Sequence, residues 1–272
     1  HRDLHSFPTR RSSDLPLFLS GQKLRDAEGR LRAVDYIKTQ QWLPEGCFAE
    51  FDFRIINLFN EMEKKKTPVE IEMINTYNEI SLEHRPTMDE FFGASSFSHK
   101  LLMYKYKSWL DFIKQTQKLT ADENKILANR DFYDFFTIIE KTKMTKSYKI
   151  PVIYSFLNDA SLSASLTLSQ IASYFKMFYL SNEVFARDII NGGSSISAIK
   201  DFDDFKKVAA VCESMPVKYL TNGPEAAIFE YDRAARIMKL KNPELCSIGE
   251  AGVSLIKELL NFKINDYFRR RF

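Results

Sequence analysis

Few residues in this chain have the type and spacing that covalent chemistry needs. Asp35, Glu50 and Asp52 lie close enough in sequence to suggest a metal-dependent nuclease site. That chemistry calls for a lysine two residues after the second acid, on a strand. Glu50 is followed by Phe51 and Asp52, so the lysine is missing. Glu63-Lys64-Lys65 has the spacing but falls in a helical pattern. These acids therefore read as helix caps and surface charges. Of four histidines, His84 and His99 have no partner at metal-ligand spacing, and the other two sit within the first five residues. Gly192-Gly193-Ser194-Ser195 lacks the G-x-S-x-G surroundings of a nucleophile elbow and reads as linker. No glycine-rich phosphate loop ending in Lys-Ser/Thr is present, so the chain is not expected to turn over ATP. Cys47, Cys212 and Cys246 are widely spaced and odd in number, which fits neither a zinc cluster nor a disulfide framework and suits a reducing cytoplasm. The expectation is no catalytic, cofactor or metal residue in this chain.

Electrostatic chemistry is better supplied. Lys64–Lys66, Lys100–Lys107, Lys141–Lys149 and Arg269–Arg271 are basic clusters on a chain whose net charge is only +3. Such a balance permits nucleic-acid binding without requiring it, and each cluster taken singly also fits a solvated face. The 44% hydrophobic content and 23 phenylalanines support a real core across 272 residues, and no apolar run approaches the length of a membrane span.

The elements that must position these charges are mostly helical. Around Lys143–Ile190 the periodicity predicts a helix with Tyr148, Val152, Ser155 and Phe156 on one face, a polar turn at 158–161, and a second helix capped by Thr167 with Gln170 three residues on. A third helix is expected over Asp201–Leu220, bent or ended by Pro216. Thr221-Asn222-Gly223-Pro224 breaks the chain, and Ala227–Leu240 alternates around a turn as a hairpin. Three helices and a hairpin is the order of a winged helix, in which one helix enters a DNA groove and the wing touches backbone. Lys143, Lys146 and Lys149 at its entry, with Arg233, Arg236 and Lys239 on its wing, are the candidate phosphate contacts. A small helical packing module is the plainer reading of the same pattern.

Upstream, Arg30–Ile37 and Cys47–Phe51 alternate as a short strand pair, and Asp52 opens a helix ending at Lys64–Lys66. Thr67-Pro68 starts a helix with Ile71, Ile74, Tyr77 and Ile80 on its apolar side. Thr87 and Glu90 form a capping-box spacing, and short helices follow over 96–106 and 109–117. The expected divisions are 16–66, a helix-turn-helix-like module at 67–119, a winged-helix-like module at 120–240 and a C-terminal helix within 241–272. The fold class is mainly α with minor β.

Arg85-Pro86-Thr87, Glu90-Phe91 and Tyr104–Trp109 with Phe112 resemble small helical repeats associated with homing endonucleases. The usual Gly-Ser-Trp of that pattern is Lys107-Ser108-Trp109 here. The resemblance implies that Lys105, Lys107 and Trp109 face DNA; a structural tryptophan flanked by surface lysines is the alternative. More widely, Gly29–Ile37, Arg85–Trp109, Met144–Asp159, Ser214–Gly223, Ala226–Asp232 and Asn261–Phe272 resemble the region following the motor of bacterial superfamily II (DEAD/DEAH-box) helicases. That resemblance implies a DNA-engaging accessory region whose partners are DNA and its own motor domains, with ATP and magnesium belonging to the parent motor alone. Gln22-Lys23-Leu24-Arg25 lacks the Gly-Arg of the family's last motor motif, so no arginine finger is carried onto Arg25, Arg30 or Arg32. A protein–protein module docking a motor on a nuclease or other partner is the rival function. His1–Leu15 resembles translated sequencing adapter of the kind found at the ends of metagenomic contigs, which makes a fragment of a longer bacterial protein the expectation.

Overall fold

A computed structural model describes Arg54, residues 68–81 and residues 84–271. The N-terminal strand pair, the helix from Asp52, the acids Asp35, Glu50 and Asp52, Lys64–Lys66 and the segment His1–Leu15 lie outside the described residues. Those described are mainly helical, with a small three-stranded antiparallel sheet, and residues 73–272 form one compact unit. The expected boundaries at 119/120 and 240/241 both fall inside it.

Six helices come first: α1 (Pro68–Ile80), α2 (Met88–Ala94), α3 (His99–Tyr106), α4 (Trp109–Thr116), α5 (Ala121–Ala128) and α6 (Arg130–Lys141). Their starts are written locally. Thr87 with Glu90 and Thr120 with Glu123 make reciprocal capping boxes, while Ser98, Ser108 and Asn129 each accept from a first-turn N–H. Within α1 the buried residues are Met73 and Tyr77, four apart, and Ile71 is about half exposed rather than on the core face. Tyr77 selects that face: its ring packs against Phe91, Trp109 and Phe112, and its hydroxyl donates to the Pro86 carbonyl at 3.1 Å.

Next come α7 (Lys149–Ser155), β1 (Ser165–Thr167), α8 (Leu168–Leu180) and α9 (Glu183–Ile190). Thr167 and Gln170 form the expected capping box of α8. The expected single helix to Ile190 is broken, because Asn182 caps a separate α9 by accepting from Val184. A 3-10 turn (Ile199–Asp203) leads into α10 (Phe205–Cys212), a π turn (Glu213–Val217) and α11 (Lys218–Asn222). Pro216 lies inside the π turn: its missing N–H breaks the helical ladder at the expected place and the helix continues at a new register. Then β2 (Phe229–Asp232) and β3 (Ile237–Leu240) form the expected hairpin. Asp232 Oδ1 accepts from the N–H groups of Ala234 and Ala235, which shapes the turn. The sheet order is β1-β3-β2, with Leu166 opposite Met238 and Tyr231 opposite Met238 on the other side.

The last helix, α12 (Gly249–Arg269), is buried nearly all round, from Val253 through Phe268. It packs against α2, α5, α6 and α7, joining the early helices to the sheet-bearing half.

Candidate nucleic-acid interface

The sequence candidates separate into residues the fold exposes and residues it consumes. Trp109 is consumed. It opens α4 with no exposed surface, and its indole N–H donates to Glu258 Oε1 at 2.7 Å. Its backbone N–H donates to Glu140 Oε1 at 2.6 Å. No face of the ring is left for a base, so its expected role in DNA contact is corrected to a core one. Glu258 on α12 also accepts from the Met88 N–H and from both terminal nitrogens of Arg85, which in turn reaches Glu123 at 2.8 Å. Burial works against the Arg85 charge, but the two glutamates outweigh it and raise its pKa. The Arg85-Pro86-Thr87 stretch thus fastens α2 to α12 and α5.

Lys107 is exposed but sits at φ 67, the left-handed position that glycine fills without strain. Lys105 is half-buried, and its ammonium lies 5.6 Å from the Tyr104 ring centre. Of the three lysines expected along one helix, only Lys149 is helical, because α7 begins there. Lys149 is largely buried and pairs with the buried Glu225 at 2.7 Å, so it is unavailable to a phosphate. Lys146 points its ammonium to 4.0 Å from buried Asp188, which also accepts from the Ser147 N–H, the Ser147 hydroxyl and the Tyr267 hydroxyl. Lys143 is exposed. Few aromatics are free for stacking on a partner: Tyr104 is exposed, but Tyr106 and Tyr179 are buried and Phe185 stacks between Phe178 and Phe268.

On the hairpin, Arg233 is exposed at the turn and has no ion pair among the described residues. Arg236 pairs with Glu213 at 3.2 Å, and Lys239 pairs with Glu230 on the neighbouring strand at 3.0 Å, which raises the Lys239 pKa. The expected row of three wing cations is therefore one open cation and two engaged ones.

The structure adds residues that composition and clustering did not single out. Lys206, Ala210, Ser214 and Lys218 are all exposed and run along one ridge from α10 through the π turn into α11. Neither lysine has an ion pair among the described residues. Twelve residues of helix span about 18 Å, so the lysines bracket a centre of small side chains. The hairpin lies beside this ridge, held there by Glu213. The signal was available as the spacing 206, 210, 214, 218, but a search for charge clusters overlooks two lysines twelve residues apart with small residues between them. Among the described residues no group of three or more His, Cys, Asp or Glu side chains is placed to hold a metal ion, and no helix is long and apolar enough to cross a membrane. Comparison with known family descriptions, with curated proteins and with solved structures finds no match.

Proposed function

We propose that residues 149–240 are a winged-helix-like unit that binds duplex nucleic acid, within an accessory region of an ATP-dependent bacterial helicase acting in the cytoplasm. The single observation that carries the reading is the sheet. From α7 the chain runs helix, strand, the helices α8 and α9, then α10 continued through the π turn into α11, and the hairpin, and the lone first strand pairs with the last in the order β1-β3-β2. That order leaves the α10–α11 ridge and the hairpin turn side by side. Small residues at the ridge centre allow close approach to a groove about 12 Å wide, with Lys206 and Lys218 near the flanking phosphates. Arg233 adds a contact from the turn. The helicase context rests on the sequence resemblance, and ATP with magnesium would belong to the motor.

A salt series tests this. Duplex affinity of the chain should fall as salt rises, and changing Lys206 and Lys218 to Ala should flatten the log–log slope by about one unit for each phosphate no longer engaged. Lys149→Ala, read under conditions where it remains folded, should leave the slope unchanged. No binding at low salt would sink the reading. A second reading, docking of a motor onto a nuclease or other protein partner, is favoured by a shallow apolar groove lined by Met177, Leu180 and Phe205, each exposed.

A further inference from the structure

The hairpin carries two arginines, and only one is open. Arg236 sits at φ 55, a conformation that a residue with a long side chain adopts only when its surroundings hold it there. Its carbonyl accepts from the Leu168 N–H at 2.8 Å, and its guanidinium reaches Glu213, the first residue of the π turn. One oxygen of Glu213 accepts from Arg236 Nη2 at 3.2 Å, and the other accepts from the Tyr231 hydroxyl at 2.7 Å. The Tyr231 phenol is pushed up to about 12 by burial and by the Glu213 carboxylate, so it stays a donor throughout the neutral range. Glu213 is also the immediate neighbour of Ser214 on the exposed ridge. Arg236 thus meets a single carboxylate oxygen of Glu213, the kind of charged acceptor that one oxygen of a backbone phosphate also provides.

We propose that Glu213 is the affinity-setting residue of the nucleic-acid surface, an internal carboxylate occupying the place on Arg236 that a backbone phosphate of the duplex would take. The inference rests on the nucleic-acid reading above. On binding, Arg236 leaves Glu213 for the phosphate, and Glu213 keeps its bond from Tyr231. The charge on Arg236 is thereby withheld from acids that do not also fill the ridge. A free anion meets a neutralised arginine, while a duplex bracketed by Lys206 and Lys218 supplies enough contacts to displace the carboxylate.

The experiment is a double-mutant cycle on the full chain, read by fluorescence anisotropy of a labelled duplex across a salt series. Glu213→Gln keeps the acceptor for Tyr231 and removes the charge. It should tighten binding about twofold to fivefold at low salt, the range that an exposed ion pair can withhold, and steepen the salt slope by up to about one unit. In an Arg236→Ala background the same change should lose most of its effect. Glu213→Asp keeps the charge but is one methylene short of spanning both partners, so it should also tighten binding, by less. Equal tightening by Glu213→Gln with and without Arg236 would overturn the proposal, since that is a general charge effect. Unchanged affinity in both Glu213 variants, with wild-type protein binding normally, would overturn it as well. Absence of binding by wild-type protein would overturn the nucleic-acid reading along with it. If Glu213→Gln fails to fold, Glu213→Asp decides on the same criteria.

Discussion

At the scale of single residues, the same side-chain chemistry serves opposite ends depending on burial. Lys149 and Lys206 are both lysines near predicted helix starts, yet one neutralises a buried carboxylate and the other faces water. Removing one partner of a buried pair leaves an uncompensated charge, so Lys149→Ala should destabilise the fold by about 3–5 kcal/mol, measured by urea denaturation. Glu258→Ala should fall in the same range, because it leaves the Trp109 indole and the Met88 N–H without an acceptor and Arg85 with Glu123 alone. Lys107 offers the reverse case. A left-handed backbone costs a side-chain-bearing residue roughly 1–2 kcal/mol, part of which glycine returns as chain entropy in the unfolded state. Lys107→Gly should therefore raise stability by about 1 kcal/mol or somewhat less, visible as a higher denaturation midpoint. A fall in stability would mean the lysine side chain makes a contact worth more than the strain.

At the scale of elements, what the sequence made legible is what local chemistry decides. The boxes at Thr87/Glu90 and Thr167/Gln170 and the Asp232 turn could be read directly, because donor and acceptor lie within three residues. Pro216 announced its break for the same reason. β1 could not be read: three residues, Ser165–Thr167, become a strand only by pairing with Ile237–Lys239, some seventy positions away. The acid Glu140 was equally silent. It ends α6, lies buried against the first N–H of α4, and burial lifts its pKa to about 7 from 4.5. Across the interface, Lys263 is drawn down to about 8 by its own burial. The sign follows from proton counting: the folded state holds the Glu140 proton between about 4.5 and 7 while the unfolded chain has released it. Stability from this group is thus complete below about pH 4.5 and is lost as pH rises through 7. Glu140→Gln should remove that loss, so that the difference in unfolding free energy between variant and wild type shifts in favour of the variant as pH goes from 5 to 8. A difference that stays constant over that interval would contradict the account.

At the scale of the whole molecule, burial in the compact unit depends on pairings the linear text hides. Sequence reading placed Trp109 beside its lysines and assigned it a shared surface role; the fold assigns it to Glu258, 149 positions later. The mainly helical class was legible because it needs only periodicity and caps. The candidate interface was half legible: the hairpin and its cations were anticipated, whereas the pairing of Arg236 with Glu213 depends on which elements become neighbours, and that of Lys239 with Glu230 on the strand register. Tyr267→Phe, which removes one donor from buried Asp188 while keeping the ring, should cost about 1–3 kcal/mol and should loosen the Lys146 region as well, seen as faster amide exchange around Ser147.

The placement of α12 sets the order in which the chain can acquire its structure. Every element that it joins is made before it, and its bonds to Arg85 close a loop of 173 residues. Until α12 emerges from the ribosome, Arg85 and Trp109 have no acceptor from that helix and the faces of α2, α5, α6 and α7 that receive it are bare. Docking of α12 is thus slow, because distant contacts must form across a long closure, and exposed in the interval to chaperones or to aggregation. A helix that follows α2, α5, α6 and α7 in the chain and packs against all four closes them into one core.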